Sequence, residues 1–419
     1  MQLQIYPATL SGAIKAPPSK SYGQRVLAAS LLAKGTSVIR NPSRCNDAMS
    51  ALSVIRQLGA RIKDAGDHLN IKGGKNPKGQ KLDCGEAGLC IRMFTAIAAL
   101  YDKPMVMTGS GSLMNRPVDM VAKALEQLGV TCQTRDRYPP IWFKGPLQGG
   151  EVTIDGSLSS QLLSGLLMSL PVAPKDSVIQ VDRLRSTPYI DMTLEVLKQF
   201  GIQVDAAPDY SLFRIQGRQT YTATDISVEG DWSGAAFFMV AGALTGKITV
   251  NGLSMDSAQA DRAILQPLQQ AGAQITELPD GITISADKPL RPFEFNAIHC
   301  PDLFPPLVVL AAHCKGTSKI SGVQRLKYKE SNRALVLQQE LGKMGVPIRF
   351  DTENMYINGP AQIRQATIDP NGDHRIAMAA AITALHGHHP VTIDQSECVN
   401  KSYPEFFNDL KKLGGQIDE

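Results

Sequence analysis

The sequence predicts an α/β (α+β) protein of two domains, each assembled from three βαβαββ repeats, six in all. The first observation behind this is a helix-end signature that returns along the whole chain. A helix closing on leucine or a similar residue, then glycine, ends at Gly59, Gly129, Gly201, Gly272, Gly345 and Gly414, and these glycines lie 70, 72, 71, 73 and 69 residues apart. Each suits the left-handed position that terminates a helix. The second observation is that the segments between them repeat as well: an alanine-rich helix, a turn, an alternating strand, then the glycine-ended helix and a strand pair.

Taken in order, the glycine-ended helices are amphipathic. Ala51, Val54, Ile55 and Leu58 recur at helical spacing, as do Val121, Ala124, Leu125 and Leu128. Pro267 interrupts the fourth copy and is expected to kink or shorten it. After the third glycine, Gly201–Val204 and Leu212–Ile215 read as paired strands around Asp209-Tyr210-Ser211. The alanine-rich helices run into strands at Leu31–Ile39, Gly242–Val250 and Ala311–Ile320, and their small side chains mark them as the buried ones. A period near 70 exceeds that of ordinary solenoids, roughly 20 to 50 residues. Three units in each of two domains is the simpler arrangement.

Composition narrows the class. At 419 residues and 43% hydrophobic, the chain can bury large cores. No apolar run is long enough for a membrane span, and Met1–Tyr6 does not read as a signal peptide, so a cytoplasmic protein is expected. Seven scattered cysteines without a Cys-x-x-Cys pair point to reduced thiols rather than disulfides or zinc. A net charge of +4 is too balanced for general nucleic-acid binding, so cations that handle anions must be gathered locally. His386, His388 and His389 read as a turn before the next strand rather than a metal set.

Such gathering is visible in the loops. Pro17-Pro18-Ser19-Lys20-Ser21 leads into a helix that carries Lys20 and Arg25 in its opening turns, with Ser19 or Ser21 as cap. The helix dipole disfavours cations there by a few tenths to about 1 kcal/mol, and a bound anion would reverse the sign. Equally polar starts follow at Gly85–Arg92, Asn115-Arg116-Pro117, Ser157–Gln161, Ser186–Tyr189, Pro301-Asp302, Lys329–Arg333, Asp373-His374-Arg375 and Lys401–Pro404. Singly, each is also an ordinary cap or solvated surface; together they supply what phosphate and carboxylate binding needs. Asp302 is open to reading as an N-cap and Glu330 as a helix-surface partner of Arg333; both are equally suited to carrying protons among cations. His374 is open to titration or to packing. Neither a Walker nor a dinucleotide glycine pattern occurs.

Assembled, these motifs resemble the 5-enolpyruvylshikimate-3-phosphate synthase (3-phosphoshikimate 1-carboxyvinyltransferase) family of enolpyruvyl transferases, over essentially the full length. The motifs are Ser19-Lys20-Ser21…Arg25, Ser157-x-Ser159-Ser160-Gln161, Pro188-Tyr189-Ile190-Asp191, Lys329-Glu330-Ser331-x-Arg333, Asp373-His374-Arg375 and Lys401-Ser402-Tyr403-Pro404. The resemblance implies inside-out α/β barrels in a discontinuous domain I, residues 1–14 and 229–419, and a domain II, residues 15–228, with the active site in the cleft between them. It implies transfer of the enolpyruvyl group of phosphoenolpyruvate to the 5-hydroxyl of shikimate 3-phosphate, with phosphate released through a tetrahedral intermediate, and with no metal or other cofactor. It further implies a monomer acting on small molecules, with neither nucleic acid nor membrane as partner.

By motif match, shikimate 3-phosphate falls to Lys20, Ser21, Arg25, Ser159, Ser160, Gln161, Ser186, Tyr189, Asp302 and Lys329. Phosphoenolpyruvate falls to Lys20, Gly88, Arg116, Gln161, Glu330, Arg333, Arg375 and Lys401. Asp302, Glu330 and Lys20 are the implied catalytic groups, Asp302 as base for the 5-hydroxyl. One loop departs from the family pattern of Gly-Asn-Ala/Ser-Gly-Thr before an arginine: here it is Gly85-Glu86-Ala87-Gly88-Leu89-Cys90-Ile91-Arg92. An extra carboxylate facing the substrate would repel it, so Glu86 is expected to turn away, with Arg92 as its partner. The sister transferase acting on UDP-N-acetylglucosamine usually has a cysteine before its Arg-Pro; Gly109–Pro117 contains none. A non-catalytic binding protein of the same fold is disfavoured by Lys20, Asp302 and Glu330 being present together. An RNA-end-processing enzyme of related architecture is disfavoured by the lack of a more basic surface.

Overall fold

The computed structural model describes residues 1–74 and 76–419. The chain divides into two compact units, a middle unit Pro18–Val228 and a split unit Met1–Pro17 with Glu229–Glu419. The middle unit contains α1 (Lys20–Leu32), α2 (Asn46–Gln57), α3 (Gly88–Ala98), α4 (Asp119–Gln127), α5 (Gln161–Ser169) and α6 (Pro188–Gln199). The split unit contains α7 (Trp232–Thr245), α8 (Leu265–Ala271), α9 (Phe304–His313), α10 (Arg333–Lys343), α11 (His374–Ala384) and α12 (Phe406–Lys412). Each unit also holds three four-stranded sheets among its described residues. Every sheet has one parallel pair at an edge and antiparallel partners beyond it, as in Gly150–Asp155 beside Ser177–Asp182, which in turn pairs antiparallel with Leu212–Ile215.

This is the two-domain, six-repeat α/β architecture of the inside-out barrel fold, with one departure from plain sequential repeats. Ser11–Lys15 precedes α1 in sequence but pairs parallel with Lys247–Asn251, which follows α7. Asp225–Ser227 precedes α7 but pairs parallel with Thr36–Arg40, which follows α1. The first and fourth repeats have thus exchanged their opening strands, and each unit boundary falls just after an exchanged strand. The sixth sheet is completed by the N-terminal strand Leu3–Ile5, placed between Val391–Ile393 and Ile417–Asp418.

The odd-numbered helices are the buried ones, with α7 and α11 the richest in alanine: α3 is buried from Gly88 to Ala98, α7 from Trp232 to Ala243, α11 throughout. In the split unit α7, α9 and α11 pack on one another. In the middle unit α3 packs on α5 so closely that a Cβ on Gly165 would come within 2.8 Å of the Met93 carbonyl oxygen. The even-numbered helices are two-faced, with Ala51, Val54 and Ile55 of α2 and Val121, Ala124 and Leu125 of α4 buried. Pro267 leaves α8 only seven residues long, behind a 3-10 turn at Ala260–Ile264.

One strand differs from expectation. Residues 202–204 are not a strand, and the partner of Leu212–Ile215 is Asp205–Ala206. The Gln219 side chain explains this: its oxygen accepts from the Gln203 N–H at 2.9 Å and its amide donates to the Gln203 carbonyl at 2.9 Å, taking up the groups a ladder would use.

All six signature glycines have positive φ, as left-handed helix ends require. Their surroundings differ. At Gly345 (φ +89°) an added Cβ would lie 2.6 Å from the Gln362 carbonyl oxygen, whereas at Gly414 (φ +106°) the nearest atom is 3.5 Å away. Gly414→Ala should lower unfolding free energy by about 1 kcal/mol through backbone strain alone, and Gly345→Ala by about 2 kcal/mol or more, because the clash is with backbone. Urea denaturation of the two variants checks this; equal losses would mean that the loop over Gly345 yields freely.

Candidate active site

Helix starts carry the polar groups in both units. In the middle unit, Ser19 caps α1 by accepting from the Tyr22 N–H, and Lys20 pairs with Asp47 in the first turn of α2 at 3.0 Å. Arg25 is 1% exposed. Its guanidinium donates to Thr193 Oγ1 (2.8 Å), Ser164 Oγ (3.0 Å) and the carbonyls of Ser21 (2.8 Å) and Tyr189 (3.2 Å), and it lies over the Tyr189 ring. All four acceptors are neutral. Burial pushes the Arg25 pKa down to about 10, so it remains charged at neutral pH with that charge uncompensated by these contacts. An arriving carboxylate would supply the compensation.

The α3 and α5 starts meet through Arg92, which donates to Gln161 Oε1 at 2.8 Å and to the Pro117 carbonyl at 2.9 Å. Arg116 lies against Gly88, where any Cβ would stand 2.8 Å from its guanidinium. Glycine at position 88 is thus fixed by the arginine beside it. No side chain caps α3, which leaves the first-turn N–H groups of a buried helix available for an anion. Glu86 accepts from the Ser112 N–H (3.3 Å) and hydroxyl (2.9 Å), so the loop carrying Arg116 holds its carboxylate. Ser112 is a partner of Glu86 that the sequence did not single out.

Ser159 Oγ accepts from the Gln161 N–H at 3.1 Å, and Ser160 is buried at the α5 start. Ser186 is buried ahead of α6 with φ +60°, a strained conformation for a residue with a Cβ. Its carbonyl accepts from Tyr189 N–H at 3.1 Å.

In the split unit the core of the cluster is Arg333, fully buried at the first position of α10. It donates to Asp373 through Nε (2.9 Å) and Nη2 (3.2 Å), to Glu330 (2.6 Å) and to Asp302 (2.8 Å). Burial alone would lower its pKa, but the three carboxylates outweigh burial and hold it above the usual range. Asp302 receives two more cations, Lys329 at 3.1 Å and Arg375 at 3.5 Å. It stands in a 3-10 turn, Pro301–Leu303, just ahead of α9 and serves the cation cluster rather than capping. Glu330 likewise lies outside the helix, joined to a buried arginine instead of forming a surface pair. Lys401 ends a 3-10 turn, Ser396–Lys401, that packs on α11, and it is 5% exposed.

The sequence reading missed Asp47, Ser164 and Thr193, which position Lys20 and Arg25, and it missed the structural work of Asp373. That residue also caps α11 by accepting from Arg375 N–H at 3.1 Å. It missed Asp231, which caps α7, and Asp261 in the turn before α8. Only Asp231, followed by the small residues Ser233 and Gly234, carried a legible cap signal.

Comparison with known proteins decides the family. Residues 6–410 match the model of EPSP synthase (3-phosphoshikimate 1-carboxyvinyltransferase). The chain belongs to the EPSP synthase family. Curated relatives named 3-phosphoshikimate 1-carboxyvinyltransferase include one from Methanocorpusculum labreanum, 36% identical with all of both chains covered. Another, from Clostridium acetobutylicum, is 37% identical and covers all of this chain and 98% of its own. The crystal structure of an EPSP synthase from Acinetobacter baumannii superposes with TM-score 0.83 at 25% identity, both chains fully covered. Family membership makes the chain a transferase of the shikimate pathway and aromatic amino acid biosynthesis, moving the enolpyruvyl group from phosphoenolpyruvate to shikimate 3-phosphate.

Asp373→Asn should destabilise the protein by about 3 kcal/mol, since it removes one carboxylate from a buried arginine and weakens the α11 cap. Urea denaturation measures it; a loss under about 1 kcal/mol would mean that Asp302 and Glu330 suffice to hold Arg333.

Proposed function

We propose that this EPSP synthase family member transfers the enolpyruvyl group specifically to the 5-hydroxyl of shikimate 3-phosphate. The route is addition followed by elimination through a tetrahedral intermediate, without metal or cofactor. The observation that carries the reading is the Asp302 carboxylate, faced by Lys329, Arg333 and Arg375, with Glu330 on the same arginine. A base for the 5-hydroxyl must be anionic when substrate arrives, and neighbouring cations favour that form. Asp302 accepts the hydroxyl proton as the oxygen attacks C2 of phosphoenolpyruvate. Glu330, with Lys20, delivers a proton to the methylene carbon and then removes one as phosphate leaves.

The remaining assignments follow charge. Arg25, with Ser21 and Tyr189 around it, takes the shikimate carboxylate; Ser159, Ser160, Gln161, Ser186 and Lys329 take its phosphate and hydroxyls. Arg116 beside Gly88, Arg333, Arg375 and Lys401 take the carboxylate and phosphate of phosphoenolpyruvate, with Lys20 and Gln161 contributing to both substrates. Two phosphates and two carboxylates repel one another in water. Cations fixed in advance by burial and hydrogen bonds offset that repulsion and bring the reactants together.

A cytoplasmic monomer is the form proposed. Its balanced charge supports small-molecule rather than nucleic-acid partners. Among the described residues no helix is long and apolar enough to cross a membrane.

Asp302→Ala should lower kcat by about 10²- to 10⁴-fold, the usual range for a general base, while the Kd of shikimate 3-phosphate changes far less. Steady-state kinetics alongside calorimetric titration separates the two. Weakened binding with near-normal turnover at saturation would remove Asp302 from the role of base.

A further inference from the structure

Every repeat begins its two helices with polar residues, and the proposed site draws on nearly all of them. The even-numbered helices contribute Asp47 at α2, Arg116 ahead of α4, Ser186 and Tyr189 at α6, Lys329 and Glu330 ahead of α10, and Lys401 ahead of α12. The fourth repeat alone has no assigned role. Its equivalent position, in the turn ahead of α8, is Asp261.

Asp261 is 2% exposed, and its Oδ1 has no hydrogen-bond partner. The turn that carries it is pinned to the α7 start. Gln259 Oε1 accepts from Trp232 N–H at 3.1 Å, and Gln259 Nε2 donates to the Gly230 carbonyl at 2.7 Å. This turn packs against α7 and against the 3-10 turn of Asp302. The groups facing Asp261 are Asp302 and Cys300 from the α9 start, Arg375 from the α11 start, and Asp231 and the Ser233 hydroxyl from the α7 start. Arg375 has a buried Nη1 without a hydrogen-bond partner, and its ion pair to Asp302 is long at 3.5 Å. A carboxylate buried at this depth with one oxygen unbonded and no ion pair of its own is unfavourable without some return in function.

We propose that Asp261 is a positioning carboxylate for the enolpyruvyl transfer: its negative charge holds Arg375 and keeps Asp302 basic while Asp302 engages substrate. The inference rests on the reading of Asp302 as base. When Asp302 takes the proton of the 5-hydroxyl, its own charge is lost, and Asp261 remains as a nearby negative charge acting on Arg375. Burial first, then repulsion from Asp302, raise the Asp261 pKa to about 6, against the attraction of Arg375. The acid is therefore neutral below that pH and charged above it, so its influence grows as pH rises through 6.

Asparagine reproduces the neutral acid, which makes the test a ratio. Wild-type kcat divided by Asp261→Asn kcat is measured from pH 5 to 8 with both substrates saturating. Substrate phosphates titrate in the same range, and the ratio cancels them. The expected ratio is near unity at pH 5 and rises to about tenfold at pH 8. Asp261→Ser, neutral and smaller, is expected to follow the same course. A loss equal at every pH, including one that merely tracks loss of folded protein, would make Asp261 structural only and overturn the proposal; so would no loss at all. The base assignment is judged separately with Asp302→Ala. Turnover retained there sinks that assignment, whereas a pH-independent Asp261 ratio with turnover lost in Asp302→Ala sinks this inference alone.

Discussion

The buried guanidinium of Arg333 is the interaction on which the polar cluster of the split unit depends. A fully desolvated cation is tolerable only among carboxylates, and it has three: Asp302, Glu330 and Asp373. Two of these are the residues to which proton transfer is assigned, and the third fixes the α11 start from which Arg375 extends. Charge balance therefore sets the geometry. Asp302, Glu330, Lys329, Arg333 and Arg375, to which the proposed reaction assigns its base, its second proton carrier and part of its anion binding, are held by one another in advance, the kind of preorganisation that electrostatic catalysis requires.

The middle unit is built on the opposite bias. Arg25 is buried among neutral acceptors, Arg92 bonds to an amide and to carbonyls, and Arg116 is pressed against a glycine. Arg25 holds positive charge that its neutral contacts do not cancel, which suits an anionic ligand; the split unit holds acids among cations, which suits proton transfer. Both depend on one feature of the repeat, namely that polar residues lie at helix starts while the alanine-rich helices behind them are wholly buried.

Much of the fold was legible because its signals are local. Left-handed glycine at a helix end and a short apolar period survive in any context, so Gly59 through Gly414 gave the six units directly. The exchange of Ser11–Lys15 and Asp225–Ser227 between repeats was not legible from pattern, since a strand carries no mark of its parallel neighbour. The strand expected at residues 202–204 failed for a similar reason: a distant side chain, Gln219, displaced the ladder. The site shows the same division. Cations and acids at helix starts announce themselves by type and position, as Lys20, Asp302 and Arg375 did. The groups that hold them do not. Thr193 and Ser164 look like ordinary helix residues until Arg25 is seen between them, and Asp47 and Asp261 look like surface acids until their burial is known.

The account's central claim is that two anionic substrates are brought together by cations fixed in advance, and that no chemistry proceeds on either alone. Phosphate release from phosphoenolpyruvate tests this most directly, measured with the purified protein in the presence and absence of shikimate 3-phosphate. Release that depends wholly on shikimate 3-phosphate is the predicted result. Release without it, or release supported by UDP-N-acetylglucosamine in its place, would contradict the account.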